Sequence, residues 1–155
     1  EQAGSTGVKA VAAKDGITAI NIKSSRMLLA YGFLRKIFEV FEKYQTPIDM
    51  ITTSEVSVSL TIDSNENLSE IVQELQSYGE IIFEKHHSII CIVGDRLGDE
   101  TGITSTILSA FNDVPVDMIS YGGSVNNISV LVDTIYKESV LRSLHSVLFE
   151  EQILV

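Results

Sequence analysis

The chain contains one stretch twice. Pro47-Ile48-Asp49-Met50-Ile51 returns as Pro115-Val116-Asp117-Met118-Ile119, an offset of 68 positions (Asp49 to Asp117). The match extends upstream from Gly32-Phe33-Leu34 and Phe41 to Gly102-Ile103-Thr104 and Phe111, and downstream from Asp63 to Asp133, both at an offset of 70 (Gly32 to Gly102, Asp63 to Asp133). Pro47 and Pro115 are the only prolines and hold the same place in the repeat. A repeat of this length requires two copies of one small module. The drifting offset means that the second copy loses two residues between helix and strand and regains two near Gly122-Gly123. Length changes of that kind belong in exposed loops.

Hydrophobic periodicity gives the order of elements. Lys9–Lys14 and Ile17–Lys23 read as strands, the second by alternation of Ile20 and Ile22 with Asn21 and Lys23. From Phe33, apolar residues at Leu34, Ile37, Phe38, Val40 and Phe41 recur with a helical period. Strands follow at Ile48–Thr52 and Val56–Ile62, a helix at Leu68–Leu75, and a strand at Glu80–Lys85. The second copy reads as a strand at His87–Val93, a helix at Ile103–Phe111, strands at Val116–Ser120 and Ile128–Asp133, and a helix at Lys137–Leu148.

The first copy is thus βαββαβ and the second lacks its last strand, for which Lys9–Lys14 is a donor. This gives an α+β fold of two ferredoxin-like modules, each an antiparallel sheet with helices on one face. The expected division is a disordered lead at 1–7, a first module at 15–86, and a second module from 8–14 plus 87–155.

Several functions are disfavoured. A net charge of −10 lacks the basic clusters that nucleic acid needs. No apolar run reaches membrane-spanning length, and the lone Cys91 allows no internal disulfide, which suits a reducing, cytoplasmic setting. Cys91 itself reads as a buried strand residue. The chain opens at Glu1 without methionine or a signal-peptide pattern, as expected of a piece of a longer protein. There is no phosphate loop and no metal-ligand spacing. His86 and His87 point to opposite faces in a strand, and His145 sits in a helix beside Leu144. No catalytic residue emerges.

A binding site is better supported. The first amides of a helix have no internal partner, so the start at Gly32, Phe33 and Leu34 suits a carboxylate. Gly32 allows close backbone approach. Asp49 and Glu55 are candidate acceptors for ammonium groups, with Asp49 expected to face the same cleft as the helix start. Such a set fits a zwitterionic or dibasic amino acid. Ordinary exposed turn residues are the plainer alternative. The second copy has no acid matching Glu55 near Ser124–Asn127.

The runs Arg26–Leu34 and Ile48-Asp49-Met50-Ile51-Thr52-Thr53-Ser54-Glu55-Val56-Ser57-Val58 resemble the regulatory region of aspartate kinases, above all the lysine-sensitive single-function type, and Leu144–Glu150 resembles the end of that region. The resemblance covers the chain from about Lys9 onward and implies tandem ACT domains that bind an amino-acid effector for feedback inhibition. It further implies L-lysine as effector and a homodimer formed through the first module. Met27, Ala30, Gly32, Phe33, Leu34, Ile48 and Asp49 would line the site, with Ser54 and Glu55 from the partner subunit. Ala30 stands where relatives often carry serine. Nothing resembles the family's kinase domain, so no catalysis and no cofactor are expected here; ATP and magnesium would belong to the kinase domain of the full enzyme. The alternatives are a threonine-binding region of a bifunctional aspartokinase–homoserine dehydrogenase, or a dimerisation module without ligand.

Overall fold

The computed structural model describes residues 7–24, 31–99, 101–122 and 126–149. Six of the seven residues expected as a lead, 1–6, lie outside the described residues. The chain divides into two compact units, one formed by Asp15–His87 and the other by residues 1–14 together with 88–155. The elements are β1 (Val8–Lys23), α1 (Phe33–Lys43), β2 (Ile51–Thr53), β3 (Ser57–Ile62), α2 (Leu68–Leu75), β4 (Glu80–Gly94), α3 (Ile103–Ser109), β5 (Met118–Ser120), β6 (Asn127–Asp133) and α4 (Lys137–Phe149), with short 3₁₀ turns at Leu97–Asp99 and Thr134–Tyr136.

In the unit Asp15–His87 the strand order is β2-β3-β1-β4, with β3 antiparallel to both neighbours. β1 and β2 therefore run parallel with β3 between them, and α1 is the crossover. Ile20 and Ile22 of β1, and Val58, Leu60 and Ile62 of β3, alternate onto one face. That face meets Phe33, Ile37, Val40 and Phe41 of α1 and Leu68, Ile71 and Leu75 of α2 in one core. The polar alternates lie on the other face, where Asn21 donates to Ser59 Oγ at 2.7 Å. A helix with a single apolar stripe can bury only that stripe, so both helices cover the same side of the sheet.

The other unit repeats the plan. β5 and β6 pair antiparallel beside β4 and β1, and Ile90, Ile92, Ile103, Ile107, Val130, Val132, Val140 and Leu144 form its core with Val8. The amide of Asp95 donates to Gly7 C=O at 2.9 Å, so the start of β1 lies beside the end of β4.

The long strands depart from expectation. Lys9–Lys14 and Ile17–Lys23 are one strand, as are Glu80–Lys85 and His87–Val93. Gly16 and His86, which read as breaks, instead take left-handed backbone (φ 72° and 64°) inside β1 and β4. Such a residue shifts the side-chain alternation without ending the strand. Along β4, Ile81 packs on one core, whereas Ile90 and Ile92, of opposite parity, belong to the other. His87 is buried, with Nδ1 3.0 Å from Lys85 C=O. Cys91 is half-buried rather than buried, with the Ser129 hydroxyl 3.8 Å from its sulfur.

The two hairpins explain the return of the offset from 68 to 70. Thr52 pairs with Ser59 and Thr53 with Val58, leaving Glu55 and Val56 as a two-residue tip between Ser54 and Ser57. In the second unit Ser120 pairs with Ser129, so that hairpin is two residues longer.

Candidate functional site

Gly32 precedes α1 with φ 78° and ψ 12°, and no side chain caps the helix. Among the described residues, nothing lies within 4 Å of where a Cβ would stand. Gly32 itself has no side chain to offer the first helical amides, and among the described residues the approach to them is open. Gly102 repeats this before α3 with φ 86°. In both copies the glycine carbonyl accepts the first helical bond, from Lys36 N at 3.2 Å and Thr106 N at 3.1 Å.

Two chains of contacts fix which residues share each end of the first unit. Phe33, 8% exposed, packs edge-on against Tyr78 with ring centroids 6.5 Å apart. Tyr78 precedes Gly79, whose Cα lies against Lys23 C=O so closely that a Cβ there would come within 2.4 Å. Ser24 N then donates to Val56 C=O at 2.9 Å, at the β2–β3 tip. The start of α1 and the Ser54–Ser57 turn thus occupy one end of the sheet. At the other end, Asp49 N donates to Thr61 C=O at 2.9 Å, Thr18 Oγ1 donates to Asn65 Oδ1 at 2.6 Å, and Asn67 Nδ2 donates to Tyr44 C=O at 3.1 Å. Asp49 is four residues before Thr53, about 13 Å along the strand.

This corrects one expectation: Asp49 and Gly32 do not share a cleft within one chain. The cause is topological. α1 runs antiparallel to β2, so its start lies at the end of β2 and its finish at the beginning. The second unit repeats the pattern, with Thr104 Oγ1 donating to the Tyr121 hydroxyl at 3.2 Å and Asp117 N donating to Leu131 C=O at 2.9 Å at the far end.

Leu34, Asp49, Ser54 and Glu55 are exposed, and Ile48 is half-buried against the core. Met27 and Ala30 lie outside the described residues. Ser54 is fixed by its neighbour Ser57: Ser54 N donates to Ser57 C=O at 2.9 Å, and the two hydroxyls lie 2.9 Å apart. Ser57 and Tyr78 were not singled out from the sequence. Two serines flanking a two-residue turn were the available signal for Ser57, whereas Tyr78 gave none.

One flank of α1 is apolar yet uncovered. Leu34 and Phe38 are 37% and 41% exposed, and Ile51 on the edge strand β2 is 37% exposed. Lys43 sits on the opposite flank of the helix, where its ammonium meets Glu74 of α2 at 2.5 Å. At about 100° per residue, Leu34 and Phe38 therefore point away from α2 and toward the β2 edge. Tyr44 also donates to Glu74 at 2.6 Å. The hydrogen bonds from Lys43 and Tyr44 hold the Glu74 carboxyl below its ordinary range, and hydrogen bonding to Glu74 raises Lys43. Among the described residues, no group of three His, Cys, Asp or Glu is arranged to hold a metal ion, and no helix is long and apolar enough to cross a membrane.

A four-stranded antiparallel sheet with two helices on one face, repeated with an open glycine before each first helix, defines the paired ACT fold. Residues 90–148 match the ACT domain family. The chain is 51% identical to a C-terminal regulatory domain of aspartate kinase from Porphyromonas gingivalis W83, covering 94% of this chain and 100% of that one with a TM-score of 0.84. It is 35% identical to Aspartokinase 3, chloroplastic, of Arabidopsis thaliana, across 88% of this chain and 26% of that protein. It is 29% identical to E. coli aspartokinase III, solved in complex with lysine and aspartate in the T-state, over 97% of this chain and 35% of that one, with a TM-score of 0.84. The chain belongs to the family of aspartate kinase regulatory domains. It spans roughly a quarter to a third of the length of the curated aspartokinases it matches, and its residues correspond to their regulatory part rather than to a kinase domain.

Proposed function

We propose that this chain is the effector-sensing part of an aspartate kinase and binds L-lysine between two copies of its first unit. The observation that carries this reading is the separation of the helix start from Asp49 along the exposed edge strand β2. Two copies joined antiparallel along β2 would bring Asp49 and Ile48 of one beside Gly32, Phe33, Leu34, Ser54 and Glu55 of the other. Each site would then be built from both chains, twice per dimer by symmetry. The uncovered flank of Leu34, Phe38 and Ile51 supplies apolar surface for such a contact.

The chemistry suits a dibasic amino acid. The α-carboxylate would lie on the first amides of α1, and Asp49 and Glu55 would accept from the two ammonium groups. Met27 and Ala30, which precede Gly32 in the sequence, would complete the wall. The lysine complex of the E. coli relative supports this choice of ligand. The second unit keeps Asp117 but has no acid matching Glu55, which favours a single kind of cationic site.

Effector binding that differs in strength between two dimer arrangements would shift the attached kinase domain toward an inactive state. ATP and magnesium would act only in that domain, and this chain would need no cofactor. The setting would be cytoplasmic, without nucleic-acid or membrane partners.

Isothermal titration with L-lysine and L-threonine tests the reading. Saturable heat with lysine, lost in Asp49→Ala, is expected. Heat with threonine alone would move the effector assignment. Heat with neither would leave a module that only dimerises.

A further inference from the structure

We infer that Ser57, which lies outside the ligand-lining set, is a positioning residue of the effector site; this rests on the reading above. The β2–β3 tip holds Glu55 and Val56 between Ser54 and Ser57, and neither tip residue has positive φ. Two-residue hairpins favour left-handed residues at the tip because these match the twist of the strands. A tip of Glu and Val without that geometry needs another closure. Ser57 supplies it twice, through its carbonyl to Ser54 N at 2.9 Å and through its hydroxyl to Ser54 Oγ at 2.9 Å. Cross-strand hydroxyl pairs of this kind stabilise a hairpin locally.

Val58, Leu60 and Ile62 face the core, so Ser57, of opposite parity, points away from it. Its hydroxyl is therefore dispensable for core packing. Holding Ser54 in one rotamer fixes the turn that presents Glu55. A ligand that needs both residues then loses less conformational freedom on binding.

The experiment titrates L-lysine into the unmodified chain, Ser57→Ala, Ser57→Thr, Ser54→Ala, and the Ser54→Ala/Ser57→Ala pair. Ser57→Ala should weaken lysine about threefold to tenfold, the worth of one hydrogen bond. Ser57→Thr should restore affinity, because threonine keeps the hydroxyl and suits a strand. On the Ser54→Ala background, Ser57→Ala should add nothing, since the two act as one unit. Normal lysine affinity in Ser57→Ala, or additive losses in the pair, would overturn the inference alone. No lysine binding by the unmodified chain would overturn it together with the reading it rests on.

Discussion

Gly79→Ala isolates the contact that ties the end of β1 to the start of β4. A Cβ at residue 79 would stand 2.4 Å from Lys23 O, 3.1 Å from Lys23 C and 3.3 Å from Ser24 Cβ. The nearest of these is about 1 Å inside ordinary contact distance. The obstructing atom is a strand carbonyl and cannot swing aside as a long side chain would. Gly79 has no positive φ, so the whole cost is steric. Overpacking of this kind costs about 1–3 kcal/mol. At roughly 2–4 °C per kcal/mol for a chain of this size, the midpoint should fall by several degrees. Gly32→Ala is the matched control, because its Cβ would meet nothing among the described residues while the left-handed backbone (φ 78°) is penalised, at about 1–2 kcal/mol. Thermal and urea unfolding followed by circular dichroism would measure both. Gly79→Ala should also weaken lysine binding, since Ser24 leads directly to Val56 at the turn. Stability of Gly79→Ala within about 0.5 kcal/mol of the parent would refute the steric argument.

Other outcomes follow from the same geometry. Ile71→Ala removes a fully buried side chain from the core of the first unit and should cost about 2–5 kcal/mol in urea unfolding. Glu74, held below its ordinary value of 4.5 by Lys43 and Tyr44, should contribute stability at neutral pH that is lost as pH falls through its lowered value. Lys43 is raised above 10.5 by Glu74, so its share persists below that value and is lost as pH rises through the raised one. Glu74→Gln should flatten both limbs in unfolding experiments across pH. Phe38→Glu, on the uncovered flank of α1, should lower the association state by ultracentrifugation while leaving the fold intact.

Much of the fold was legible because its signals are local. The helical stripe from Phe33, the alternation of Val58, Leu60 and Ile62, and the repeat itself required only short windows of sequence. The unequal turns were legible too, as a change of offset that the pairings of Thr52 with Ser59 and Ser120 with Ser129 locate in the hairpins. The continuity of β1 and β4 was not legible. Asp15-Gly16 and His86 look like breaks, and only pairing with a neighbouring strand carries the ladder through a left-handed residue. The site shows the same divide. Gly32, Asp49 and Glu55 stood out by residue type. Their distribution between the two ends of the sheet depends on the direction of α1 relative to β2, which no short window of sequence contains.

In the proposed dimer, Asp49 of one copy completes a site begun by Gly32 and Glu55 of another. Calorimetric titration of L-lysine into an equimolar mixture of Asp49→Ala and Glu55→Ala chains, refolded together, tests it directly. Each variant alone should bind no lysine. The mixture should recover binding at one site per mixed dimer, because one of the two sites then holds an intact Asp49 opposite an intact Glu55. A mixture as silent as its components would mean that both carboxylates come from the same chain, and would contradict the account.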